Sequence, residues 1–231
     1  MPETEMGGAH RAFEPTQWTL VLRARRGARE ALDRLLRAYW KPAYFYVRRW
    51  GADVEDAKDL TQGFFAEALR RNFLKGVSQE KGRFRSFLLA ALRHFLVNEA
   101  EAGRARKRGG GKAPLPLDFV DAESLYRPAK GGPEAAFHRE WALTVLERAL
   151  VALAEELPKE RFEAVKAHLS PGDAPAYEET ARSLGTGVTD VKNLLHRAKG
   201  RYRELIREEA RAGLADGQDA GDEVRDLFRW L

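Results

Sequence analysis

The sequence predicts an all-α protein of two small helical domains joined by a flexible linker, the second a helix-turn-helix domain. Three observations carry this. Apolar residues recur at helical spacing nearly everywhere: Leu32, Leu35, Leu36 and Tyr39 stand at i, i+3, i+4 and i+7, the repeat of one helix face. No segment alternates with period two between hairpin signals, which argues against strands. Residues 109–133 are crowded with breakers, from Gly109, Gly110 and Gly111 through Pro114, Pro116, Pro128, Gly131, Gly132 and Pro133. Such a stretch predicts a linker that holds no helix, and it is too long for a turn within one compact domain. The chain then divides into 12–108, the linker 109–133, a second domain 134–212 and a tail 213–231.

The elements follow in order. Pro42 is expected to interrupt the first helix after Trp40, because proline lacks the amide a helix interior needs. Asp53 is placed to cap a helix from Val54 to about Arg71, with Asp56 at its third position. Ala57, Leu60, Phe64 and Ala68 form its inner face; Asp56, Asp59 and Gln62 point outward, with Phe65 between them on that outward face. Phe84, Phe87, Leu88, Ala91, Leu92 and Phe95 repeat the apolar stripe in a third helix. Arg85, Arg93, His94 and Asn98 lie off that stripe, and the helix runs into Arg104, Arg106, Lys107 and Arg108.

Beyond the linker, Leu143, Leu146, Leu150, Leu153 and Leu157 make another stripe, ended by Pro158. Pro171, Gly172 and Pro175 mark a loop before a short helix that starts near Tyr177, with Tyr177, Ala181 and Leu184 inward. Gly185, Thr186 and Gly187 form a tight turn, and the next helix turns Val191, Leu195, Ala198, Tyr202 and Leu205 inward. A short helix, a glycine-bearing turn and a second helix is the helix-turn-helix arrangement. Glycine caps more weakly than serine, which predicts a looser start to the second helix. In the tail, Val224, Leu227, Phe228 and Leu231 fall on one helical face.

Composition narrows the function classes. The 231 residues are 44% hydrophobic, enough for a packed core and against wholesale disorder. There is no cysteine, which excludes a disulfide scaffold and a thiolate site and fits a reducing cytoplasm. No run of 18 apolar residues occurs, and MPETEMGGAH lacks a signal-peptide pattern, so no membrane partner is expected. His10, His94, His138, His168 and His196 do not fall in HExxH spacing, and GxxxxGK[ST], GxGxxG and GxSxG are absent. No enzyme, cofactor or small-molecule substrate is therefore expected. The net charge of +5 is modest, so where the cations stand matters more than their sum.

Three segments carry candidate chemistry. The outer face of the second helix of the pair shows Thr189, Lys192, Asn193, His196, Arg197 and Lys199, with Arg201 and Arg203 beyond. Lys and Arg neutralise phosphates, and Asn or Arg read base edges in a major groove; the plain alternative is a solvated helix in an ordinary bundle. Residues 84–108 place basic groups beside aromatics, which suits a nucleic-acid backbone and unstacked bases; the alternative is a charged helix end leading into a linker. Residues 53–71 offer a protein-docking face, or a helix start that favours acids through its dipole. Asp53, Asp56 and Asp59 alone are too few oxygens for a hard cation, so no metal is expected.

Taken together, these segments resemble the RNA polymerase sigma factors of the extracytoplasmic-function type, in a branch with extended N- and C-terminal ends. Asp56-Ala57-Lys58-Asp59-Leu60-Thr61-Gln62 with Phe64-Phe65 is similar to the part that docks on the polymerase clamp helices. Phe84-Arg85-Ser86-Phe87-Leu88 and the basic cluster after it are similar to the part that opens and reads the minus-ten element. Val191 to Ala198 is similar to the helix that reads the minus-thirty-five element. The resemblance covers roughly 20–105 and 135–210, and it implies a transcription initiation factor without a catalytic residue. It implies core RNA polymerase and promoter DNA as partners, with an anti-sigma or other regulatory protein as a further one. Asp56, Asp59, Gln62 and Phe65 would bind polymerase. Arg85, Arg93, His94, Asn98, Arg104, Arg106, Lys107 and Arg108 would serve the minus-ten strand. Thr189, Lys192, Asn193, His196, Arg197 and Lys199 would serve the minus-thirty-five duplex. The runner-up is a helix-turn-helix regulator that acts without joining the polymerase.

Overall fold

The computed structural model describes residues 29–70, 83–105, 117–126, 131–169, 172, 174–211, 214 and 219–231. Among them every regular element is an α-helix, as the apolar spacing predicts. The first, α1 (Arg29–Trp50), runs straight through Pro42, which corrects the expected break. A proline inside a helix costs roughly 3 kcal/mol. Against that, α1 buries Leu35, Tyr39, Trp40, Tyr44, Phe45, Tyr46 and Val47, each worth about 1.5–3 kcal/mol, so packing prevails over propensity. The helix ends at Gly51, whose φ of 114° is open to glycine alone at little cost. There the amides of Gly51 and Ala52 close back on the carbonyls of Arg48 and Val47, the double closure of a Schellman end.

Helix α2 (Val54–Arg70) starts as expected, with the Asp56 amide donating to Asp53 Oδ1 at 2.8 Å. It lies against α1 and against α3 (Phe84–Ala105). Covered from both sides, it buries Phe65 as well as Phe64, the two rings meeting edge-on at 5.1 Å. The expected outward position of Phe65 is corrected accordingly. In α3 the expected stripe is found, with Leu89 and Leu96 added to its buried face.

Residues 109–133 do hold a helix, α4 (Phe119–Leu125), contrary to expectation. Asp118 caps it by accepting from the Asp121 amide at 3.0 Å. Phe119 and Ala122 are buried, and the Phe119 ring packs on Trp40 and Tyr44 at 5.5 and 5.2 Å. Glu123 takes the Tyr44 hydroxyl at 2.6 Å and the Arg48 guanidinium at 2.9 and 3.1 Å. This part of the stretch is thus docked on α1, and the breakers lie to either side of it.

Helix α5 (Pro133–Glu156) begins with proline in its first turn and stops before Pro158. It lies along α1 on one side and α8 (Val188–Arg211) on another. Its buried row is Phe137, Trp141, Val145, Ala149 and Leu153, whereas Leu143 of the expected stripe is exposed. A helix covered from more than one side carries more than one apolar row, and the aromatics take the tighter one. Helices α6 (Lys159–Leu169) and α7 (Tyr177–Leu184) pack on α8, and α9 (Ala220–Arg229) lies on α8 and α5. The buried cluster runs without a break from Leu35 to Leu227, so helices from both sides of 109–133 share one core.

Candidate functional site

The α7–turn–α8 unit is built around Gly185. Its φ of 61° reverses the chain, a conformation that costs other residues roughly 1–2 kcal/mol. The amides of Gly185 and Thr186 close on Arg182 and Ala181 at 3.3 and 3.0 Å. The start of α8 is not loose: Asp190 Oδ2 accepts from the Gly187 amide at 3.4 Å and from the Thr186 hydroxyl at 3.1 Å. A carboxylate reaching back from the third position does what the glycine cap cannot. Val191, Leu195, Ala198, Leu205 and Ile206 are buried, and the half-buried Tyr202 donates to the Leu146 carbonyl at 3.1 Å.

That inner face fixes the opposite one. Thr189, Lys192, Asn193, His196 and Arg197 are all exposed on α8, and Lys199 is half-buried beside them. Lys192 Nζ stands 5.5 Å from the Tyr177 ring, and that ring stacks on His168 at 5.5 Å. Tyr177 is therefore exposed rather than inward. His168 in turn shares a 3.0 Å hydrogen bond with Thr180, tying α6 to α7 behind the row. Arg201 is held by Glu156 at 2.9 Å, Glu208 at 2.9 Å and Glu204 at 3.2 Å. Its charge is taken up within the protein, so it does not extend the row.

A second surface lies between α2 and α3. Phe64, Phe87 and Phe95 floor a cleft of about 350 Å³, with Glu67, His94 and Asn98 at its rim. Asn98 Nδ2 donates to His94 Nδ1 at 3.1 Å, which sets the two side chains relative to each other. Arg93 is turned to an ion pair with Glu134 of α5 and does not line the cleft. The Arg104 side chain and residues Arg106, Lys107 and Arg108 lie outside the described residues.

Arg85 departs most from expectation. It is buried, with 3% exposure, rather than turned outward. Its guanidinium lies 4.4 Å over the Trp141 ring and 2.8 Å from His138 Nδ1. Glu223 Oε1 stands 2.8 Å from its Nε, and Asp226 closes a further contact. Arg83 joins the same acids at 2.9 and 2.8 Å. Burial, and the Arg85 charge beside it, hold His138 down at about 4. Burial pushes the Asp226 carboxyl up, but the hydrogen bonds and charges of Arg85 and Arg83 outweigh it and leave Asp226 below the usual range. The tail is corrected with it: Phe228 and Leu231 are exposed, and Glu223 and Leu227 are the buried side chains of α9. The sequence sign is a pair of acids at i and i+3, Glu223 and Asp226, just ahead of the apolar Leu227, a pattern that also reads as a solvated face.

On α2, Asp56 and Asp59 are exposed and Gln62 half-buried, so three of the four expected docking residues reach the surface and Phe65 does not. Among the described residues no group of three or more His, Asp or Glu is placed to hold a metal ion. Among them, too, no helix is long and apolar enough to cross a membrane. Models of known protein families give no match to the chain, and neither do curated proteins. Among the described residues the expected site residues thus make a polar and basic row on a firmly seated helix, an aromatic-floored cleft with an amide and an imidazole at its rim, and an acidic helix start. The first can meet phosphates and base edges. The second sets aromatic rings beside an amide and an imidazole, the groups that nucleic-acid-binding surfaces offer to unpaired bases.

Proposed function

We propose that this chain is a transcription initiation factor of the extracytoplasmic-function sigma type, which joins core RNA polymerase and directs it to promoters. The observation that carries the reading is the α8 row. Thr189, Lys192, Asn193, His196 and Arg197 are exposed together on a helix whose start is pinned by Asp190 and whose back is buried. In this reading α7 and α8 form a helix-turn-helix that reads the minus-thirty-five duplex, and 134–212 acts as one unit. The unit 12–108 serves the minus-ten element, with an unpaired base entering the cleft beside His94 and Asn98. The acidic surface of Asp56, Asp59 and Gln62 meets the polymerase. The chemistry of transcription belongs to the polymerase, so no catalytic group is asked of this chain. An anti-sigma or other regulatory protein completes the set of partners, and the cytoplasm is the compartment.

Run-off transcription with core polymerase tests this. The expected result is a transcript from a genomic promoter that appears only with the chain and is lost with Lys192→Ala plus Arg197→Ala. Duplex binding without any core-dependent transcript would replace the reading by a helix-turn-helix regulator that works without the polymerase.

A further inference from the structure

We propose that α9 is an acidic latch, which grips Arg83 and Arg85 at the start of α3 and keeps both from a polyanion until it lifts. The grip is made by Glu223 and Asp226: Arg83 stands 2.9 and 2.8 Å from them, and Arg85 lies 2.8 and 3.3 Å from the two oxygens of Glu223 and touches Asp226 as well. Glu223 is buried to 1% exposure, and a carboxylate is left there only when its charge is met. The apolar anchor beside it is Leu227, fully buried, and the Trp230 ring stacks on His138 of α5 at 4.9 Å. Through these contacts α9 ties the start of α3 to α5 and α8.

Two features make the contact releasable. The helix spans ten residues, Ala220–Arg229, and one so short is marginal unless docked. The ions contribute little net stability, because desolvating them offsets most of their attraction. They fix where α9 sits more than how tightly. A phosphate backbone offers Arg83 and Arg85 the same kind of partner as the carboxylates do, so a nucleic acid competes directly with α9. That the masked cations serve a nucleic acid rests on the function proposed above; that α9 closes on α3 does not.

The full chain lacks cysteine, so Ser86→Cys and Phe228→Cys, both at exposed positions, accept a donor–acceptor dye pair across the latch. The opening variants are Glu223→Gln with Asp226→Asn, and separately Leu227→Ala, which loosens the apolar anchor and leaves both carboxylates; circular dichroism checks that each keeps its helices. A single-stranded oligo-dT is the probe. In both variants the dyes are expected to move apart and oligo-dT to bind about tenfold tighter, the gain if the latch is open about a tenth of the time in the parent. The salt slope should steepen by about 1.4, two phosphates at roughly 0.7 each. Adding Arg83→Ala and Arg85→Ala to the carboxylate variant should remove the gain. Dyes that stay together in both variants overturn the latch, and dyes that separate without tighter binding overturn its masking role. Duplex promoter binding, read separately with and without Arg197→Ala, reports on the proposed function alone: its failure refutes that function and leaves the dye distance as a reading of closure.

Discussion

Arg85 keeps its charge inside the protein because Trp141, His138, Glu223 and Asp226 surround it. The pH response of the molecule follows from that cluster. His138 titrates at about 4 when folded, against roughly 6.5 for an unperturbed histidine. The unfolded chain therefore binds the proton first, and stability falls as the pH drops from about 6.5 to about 4. One proton sets a ceiling of about 1.4 kcal/mol per pH unit, and solvent at the half-exposed ring lowers it. Asp226 is depressed when folded, so it adds stability above the usual carboxylate range that is lost as acid protonates it. Both act in the same direction. Thermal melts from pH 7 to pH 4 should show a falling Tm, and His138→Gln should flatten the upper part of that fall; an unchanged slope would remove His138 as its source. A second contrast lies on α2. Phe65→Ala removes a buried ring and should lower stability by about 3–5 kcal/mol. Asp59→Arg, at an exposed position, should move stability by only about 0.5 kcal/mol while weakening core-polymerase capture. Capture at full strength by the Asp59 variant would take the docking role away from that face.

At the scale of elements, α8 was legible in the sequence and α5 was not, for one physical reason. Helix α8 keeps one long face to solvent, so its buried Val191, Leu195 and Ala198 alternate cleanly with polar positions. Helix α5 is covered by α1, α8 and α9, so leucines stand on several sides and the Leu143 row looks as good as the Phe137 row. Helix α4 was hidden because its seven residues lie between glycines and prolines, and only the Asp118 cap announces it. The buried Glu223 was illegible because its partners, Arg83 and Arg85, are distant in sequence. Of the site, the α8 row and the His94–Asn98 pair were readable from spacing; the roles of Arg85 and Phe65 depended on neighbours that spacing does not reveal. The two surfaces that were readable should separate by function. Asn193→Ala or Arg197→Ala should weaken binding of the polymerase complex to closed duplex promoters, by about 1–3 kcal/mol for a base contact. His94→Ala or Asn98→Ala should leave duplex binding nearly intact and impair strand opening. A pre-melted promoter bubble should restore part of the Asn98 defect and none of the Arg197 defect. Equal loss of duplex binding in both, with no rescue, would end this division of labour.

For the whole molecule, the continuous core decides how the chain unfolds. Trp141 of α5 stands where the halves meet: it is 3% exposed, lies under the Arg85 guanidinium of α3, and belongs to the same buried cluster as Tyr39 of α1. Two domains held only by a flexible linker would melt as independent units, because few contacts would cross between them. Here α1 and α5 bury a shared face, and α4 is pinned to α1 by Glu123 and Phe119. Loss of one side exposes the apolar surface of the other, which makes the halves cooperate. Trp141→Ala should therefore destabilise the free protein by about 3–5 kcal/mol, and the loss should be felt at both ends of the chain. Hydrogen exchange reads this residue by residue: amides of α1 and of α8 should lose protection together in the variant. Circular dichroism and Trp fluorescence of the parent should show one coincident transition. If α8 kept its protection while α1 lost it, the shared core would not couple the halves in solution, and the latch at α9 would have to hold them together by its ions and Leu227 alone.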